Sequence, residues 1–292
     1  MVAFADLLTK SRIYVRRFLH FVSVHTLYIH PVIMATDKSQ VCCPTDRQAT
    51  RGEFSGQIGS KIQIPVSNDV SSAALDCFVS TSANSSAPWL ILVYDIFGVH
   101  PNNHLLATFM NEKGINVAIP DLFGGNNWPR DQFPVPSDKR DAFSTFMQIQ
   151  ADPQSRAEGV RKCIEYIRST HRASSIALLG LCWGFKLCSL IGSHDGIVRC
   201  MVGAHPSLLT SQDGDNVSVP TLILPTADDN LTRYLAGVVR NRNPKLVRVS
   251  EEYLGSFHGF LGARGDWASP DEWPLAHKAL TEISTFIISY CQ

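Results

Sequence analysis

The stretch "SSIALLGLCWGFKL", Ser174 to Leu187, decides the fold. It opens as an apolar run of strand length, breaks at Gly180, and resumes as a helical pattern past Gly184. Cys182 stands midway between the two glycines. The spacing G-x-C-x-G is that of a nucleophile elbow, G-x-S-x-G, with sulfur replacing oxygen. An elbow forces its central residue into a strained turn, and bulky groups two positions to either side would collide. Glycine at 180 and 184 removes the collision. The turn then raises the thiol above a sheet at a helix N-terminus, where free N–H groups and the helix dipole favour a thiolate.

Outward from the elbow, strand and helix signals alternate. "ALDCFVS" (74–80), "WLILVYD" (89–95), "INVAIP" (115–120), "CMVGA" (200–204), "TLILP" (221–225) and "KLVRVS" (245–250) read as strands. The continuous apolar runs are those of strands buried on both faces. Helical patterns fall at about 103–113, 138–150, 154–170 and 273–290, and the Gly-, Pro- and Asn-rich segment 124–137 reads as a loop. Residues up to about Asn68 read as a polar stretch without an assigned strand. The alternation predicts an α/β fold: a mostly parallel sheet with helices on both faces and no large lid domain. Ligands bind such sheets beyond the carboxyl ends of the strands, so the residues just after each run are the ones to inspect.

Composition narrows the class. The 292 residues are 45% hydrophobic and 18% charged, which suits a large buried core. Lys+Arg and Asp+Glu both number 26, so nothing favours nucleic acid as a partner. No run approaches the ~20 uninterrupted apolar residues of a membrane span. The eight cysteines show no zinc spacing and no disulfide framework, and Cys163, Cys188, Cys200 and Cys291 lie in apolar segments as small hydrophobes would. A reducing compartment is expected.

The strand ends supply partners for Cys182. His258, in the Gly-flanked "GSFHGF", follows the last strand, where an elbow hydrolase carries its base. His194 and His277 lie in helical contexts and read as surface or packing residues. His205 follows a strand in "GAHPS" and reads as a pocket wall. Asp228 and Asp229, after "TLILPTA", are both placed to accept from the histidine and fix its tautomer. Local sequence does not choose between them.

With these residues in view, the chain resembles the dienelactone hydrolase family of α/β-hydrolases, the branch with a cysteine nucleophile. The likeness spans about 42–290 and rests on "CCP", "VYDIFGVHPNN", "VAIPDLF", "GLCWG", "PTADDN" and "HGF" in that order. It implies hydrolysis of a small ester or lactone through Cys182, Asp229 and His258, Asp229 being preferred by its distance from Pro220. It implies an oxyanion hole from the N–H groups of Ile96 and Trp183, and requires no metal or organic cofactor. Asp95 matches a family glutamate that takes the thiol proton, but is a methylene shorter. The arginine expected soon after "PDLF" is displaced to Arg130, and Arg264 is the second candidate for holding a substrate carboxylate. The alternative reading is a non-catalytic or redox-sensing protein on the same fold, using Cys182 as an oxidisable thiolate.

Residues 1–41 read as an N-terminal extension preceding a hydrolase domain over 42–292. Lys10, Arg12, Arg16 and Arg17 against Asp6 allow a basic amphipathic presequence, hence a mitochondrial protein. Met34 as the working start gives instead a cytoplasmic one.

Overall fold

Eight strands among the described residues form one sheet in the order β1-β2-β4-β3-β5-β6-β7-β8. The computed structural model describes residues 59–65, 74–84, 86–192 and 194–292. The expectations for residues 1–41 and for "CCP" fall outside them. The strands are β1 (Ser60–Ile64), β2 (Leu75–Ser80), β3 (Trp89–Val93), β4 (Asn116–Pro120), β5 (Ile176–Leu181), β6 (Val198–Ala204), β7 (Thr221–Leu224) and β8 (Val247–Val249). From β4 to β8 in the sheet order every pairing is parallel; β1 and β2 run antiparallel along one edge.

The helices are α1 (Pro101–Glu112), α2 (Arg140–Ile149), α3 (Pro153–Thr170), α4 (Trp183–Ile191), α5 (Ser211–Asp215), α6 (Thr232–Arg240) and α7 (Trp273–Cys291). The chain leaves β3 toward β4 on one side, then crosses back over β3 to β5. Right-handed crossovers therefore put α1 on one face and α3 on the other. Helix α7 packs with α1, and α4 with α3. The direction reverses between β3 and β5, and a sheet of this kind opens its ligand crevice there, beyond the carboxyl ends of the strands.

β3, β4, β5 and β7 are buried at every position, as continuous apolar runs require. Cys163, Cys188, Cys200 and Cys291 are buried, free thiols as expected, and Cys77 is too; Cys42 and Cys43 lie outside the described residues. Three expectations need correction. β1 lies within the stretch read as merely polar, because an edge strand buries only Ile64 well and shows no apolar run. Helices α5 and α6 carried no assignment; α5 has five residues, too few for a periodic signal, and α6 buries only Tyr234, Gly237 and Val238. His194 sits in a turn after α4 with a left-handed backbone (φ 37°), not in a helix.

Candidate active site

The elbow forms as its glycines require. Cys182 is the N-cap of α4 with φ 52° and ψ −116°, a conformation an L-residue adopts only under strain. A Cβ on Gly180 would lie 2.3 Å from the backbone of Phe185, and one on Gly184 2.2 Å from the Val93 carbonyl. Their absence lets the start of α4 close on the ends of β3 and β5. Cys182 N–H donates to Ala204 C=O (3.0 Å), tying the turn to β6. The sulfur is buried, with the whole residue only 1% exposed.

His258 is delivered by the turns between β8 and α7. Its Nδ1 meets Asp229 Oδ1 at 2.5 Å, and both side chains are 1% exposed. Asp229 is fixed from behind, since Oδ2 accepts from Thr226 N–H (2.6 Å) and Thr226 Oγ–H (3.0 Å). Asp228, its neighbour, is exposed. Burial alone would push the imidazole down. The negative charge of Cys182, then that of Asp229, outweighs it and raises the ring to about 10. A negative charge on the sulfur and the protonated ring thus favour one another.

Asp95 closes the end of β3. Burial first, and the Cys182 charge second, push its carboxyl up to about 6, while two backbone donors oppose the shift. Those donors are Phe97 N–H to Oδ1 (3.0 Å) and Ala263 N–H to Oδ2 (2.9 Å). Oδ1 therefore closes the local turn after β3, while Oδ2 anchors the His258 loop to the strand end. Asn102 does the same from α1, its Nδ2 donating to Gly262 C=O (2.9 Å) and Gly265 C=O (2.8 Å). "VHPNN" is accordingly a structural motif: His100 and Asn103 cap α1 reciprocally, and Asn102 holds the loop.

Two backbone donors lie at the same end of the sheet. The N–H groups of Ile96 and Trp183 have no hydrogen-bond partner among the described residues. The Trp183 indole is spent elsewhere: Nε1 donates to Ala151 C=O (2.8 Å) and the ring stacks on Phe123 at 4.9 Å.

His205 lies edge-on to His258, with ring centroids 5.1 Å apart, and 5.7 Å from Phe260. It is wholly buried, and neither ring nitrogen has a protein partner among the described residues. Burial first, then the positive charges of His258 and Arg264, push its pKa well below the ordinary value, so the ring is neutral. Arg264 is 1% exposed; Nη1 donates to His258 C=O (2.5 Å) and the guanidinium lies over Phe133 (5.1 Å) and Phe257 (6.0 Å). Arg130 is half-exposed in a short 3₁₀ turn, Arg130–Gln132. His277 is on α7, packed edge-on against Phe109.

One contact was not expected from the sequence. Ser207 Oγ lies 3.3 Å from Cys182 Sγ. Its position alone was readable, three residues past the end of β6, within the region where strand ends place ligands.

Among the described residues, no cluster of three His, Cys, Asp or Glu side chains is arranged to hold a metal, and no helix is long and apolar enough to cross a membrane. Known proteins bear on the same assembly of elements. An AIM2 family protein of Schizosaccharomyces pombe, described as uncharacterized, is 28% identical over 262 residues, spanning 85% of this chain and 98% of its own. A human carboxymethylenebutenolidase homolog is 23% identical over 258 residues, spanning 85% and 97%. The crystal structure of a dienelactone hydrolase-like promiscuous phosphotriesterase from metagenomic libraries superposes with a TM-score of 0.59 at 15% identity, covering 80% of this chain and 98% of the other. The family model for dienelactone hydrolases matches residues 75–279, a span that takes in the sheet from β2 onward, the elbow and the His258 loop. The sheet order, the Cys182 elbow and that match converge: the chain belongs to the dienelactone hydrolase family and is a carboxylic ester hydrolase.

Proposed function

We propose that this protein hydrolyses small esters or lactones with Cys182 as nucleophile, His258 as acid and base, and Asp229 orienting the histidine. One observation carries the reading. His258 is hydrogen-bonded through Nδ1 to a buried carboxylate while Cys182 is the strongest charge raising its pKa.

The thiolate attacks the carbonyl carbon, and the π electrons move onto oxygen. Ile96 and Trp183 N–H groups receive that oxyanion, each contributing about 3 kcal/mol in the transition state. Collapse breaks the C–O bond as His258 Nε2 gives its proton to the leaving alkoxide; in a lactone the alcohol stays tethered to the acyl group. A water then gives a proton to Nε2 and adds to the thioester. The C–S bond breaks, the sulfur keeps the electron pair, and the acid leaves. Thiol activation falls to His258 in this scheme, and Asp95, whose oxygens each accept from a backbone donor, holds the end of β3 to the His258 loop. Asp95, His205 and Arg264 shape the pocket, and Arg264 is its cation for a substrate carboxylate. The hydrolase domain extends over 42–292. The six described cysteines are free thiols, which fits a reducing compartment such as the cytoplasm.

The test is hydrolysis of p-nitrophenyl acetate and of small lactones with and without a carboxylate. Cys182→Ala and His258→Ala should each lower kcat by about a thousandfold. Wild-type turnover by Cys182→Ala would refute the assignment. Turnover that depends on Cys182 but not on His258 would favour the redox-sensing alternative.

A further inference from the structure

The turn after β6 is built in an unusual way. His205 (φ 40°) and Leu208 (φ 60°) both take the left-handed backbone that disfavours side chains, with Pro206 and Ser207 between them. Strain of this kind persists only where the surroundings impose it, and it concentrates at working sites. The turn is locked to the elbow twice. Ser207 N–H donates to Cys182 C=O (3.2 Å), and Ser207 Oγ lies 3.3 Å from Cys182 Sγ. His205 N–H donates to Leu224 C=O (2.8 Å), fixing the start of the turn to β7.

A thiolate this deeply buried needs hydrogen-bond donors to replace water. The charged groups acting at this end of the sheet are His258 and Asp95, each coupled to Cys182, with Asp229 and Arg264 acting around His258. His205 is neutral, and Lys186 of α4 is paired with Asp213. The Ser207 hydroxyl is a neutral donor in contact with the sulfur.

We propose that Ser207 donates its hydroxyl to the Cys182 thiolate, aiming Sγ at the incoming carbonyl and stabilising the sulfur again when the C–S bond breaks. The proposal rests on the reading of Cys182 as nucleophile. In the thioester the sulfur carries no charge and is a poor acceptor, so the bond is strongest at the two moments when charge sits on sulfur. It therefore acts on kcat more than on substrate binding.

The experiment follows the rate of Cys182 alkylation by iodoacetamide against pH, read at the Cys182 peptide by mass spectrometry, beside p-nitrophenyl acetate kinetics. Ser207→Ala should move the alkylation midpoint up by about one pH unit and lower kcat about tenfold, with KM changed less than about twofold. Ser207→Thr, which keeps the hydroxyl, should restore most of both. Ser207→Cys, a near-isosteric weak donor, should behave as alanine does and serves should the alanine variant fold poorly. A midpoint within about 0.2 units of wild type in Ser207→Ala or Ser207→Cys overturns the proposal. Cys182→Ala with wild-type ester turnover would defeat the proposed function instead, and the alkylation shift would still be readable.

Discussion

Asp229→Asn offers the sharpest perturbation of the proposed triad, because the structure dictates which way the amide must face. Asp229 Oδ2 accepts from Thr226 N–H, a group that can only donate. In the asparagine variant the amide oxygen must keep that position, which turns Nδ2 toward His258 Nδ1. The imidazole must then accept at Nδ1 and carry its proton on Nε2, the nitrogen needed to receive one. Two costs combine. Losing a charge-assisted hydrogen bond amounts to about 1.5–3 kcal/mol, or roughly 10- to 150-fold in rate. The wrong tautomer adds further, for a total of about 10³- to 10⁴-fold in kcat/KM. Thr226 keeps its acceptor, so the melting temperature should change little. Steady-state hydrolysis of p-nitrophenyl acetate at pH 7 measures the effect, with exposed Asp228→Asn as control, expected within about twofold of wild type. A rate for Asp229→Asn within about threefold of wild type would refute the reasoning.

Gly184→Ala should destabilise by about 2 kcal/mol, lowering the melting temperature by roughly 4–8 °C, because the new Cβ meets the Val93 carbonyl at 2.2 Å. Gly255→Ala, with nothing within 4 Å, is the control, and equal melting temperatures for the two would contradict the packing described. Lys186 Nζ bonds both oxygens of Asp213 (2.7 and 2.6 Å) in a pair only 14% and 2% exposed. Lys186→Met should cost about 3 kcal/mol in urea denaturation by stranding the carboxylate, and adding Asp213→Asn should recover part of it. The His258 ring, raised from 6.5 to about 10, binds its proton more tightly in the folded state. Its stabilisation is therefore complete below about pH 6.5 and lost as pH rises through about 10. Cys182→Ala removes the first raising charge, so the imidazole titration followed by NMR should move down and the loss of stability between pH 7 and 10 should shrink. An unchanged titration would show that the sulfur and the ring do not interact.

How far the sequence foretold this arrangement depended on how locally each signal was written. The parallel strands were legible because burial on both faces leaves a continuous apolar run, as in "WLILV" and "IALLGL". The elbow was legible because its glycines are imposed by contacts within a few residues and the adjoining strand. β1 was not, since an edge strand with one well-buried side chain leaves almost no hydrophobic trace. Cys182, His258 and an aspartate at 228 or 229 could be named from strand ends, with Asp229 preferred only by resemblance, because which aspartate faces the histidine depends on the Thr226 turn, a matter of three-dimensional orientation. Ser207 passed unremarked for the same reason. Its contact with sulfur arises from two left-handed residues around it, and neither His205 nor Leu208 announces such a backbone in sequence. Asp95 showed the reverse: a chemically suggestive carboxylate whose oxygens are occupied by main-chain donors from β3's end and from a loop 168 positions away.

The backbone at residue 182 limits the chemistry this scaffold can evolve. With φ at 52°, a β-branched residue is strongly disfavoured, so threonine fits that turn poorly although its hydroxyl is a competent nucleophile. Serine, aspartate and cysteine keep an unbranched Cβ and remain admissible. Exchange among oxygen, carboxylate and sulfur nucleophiles is then a single-residue change on a fixed frame, and a family built on this turn can diversify its reactions without remodelling its sheet.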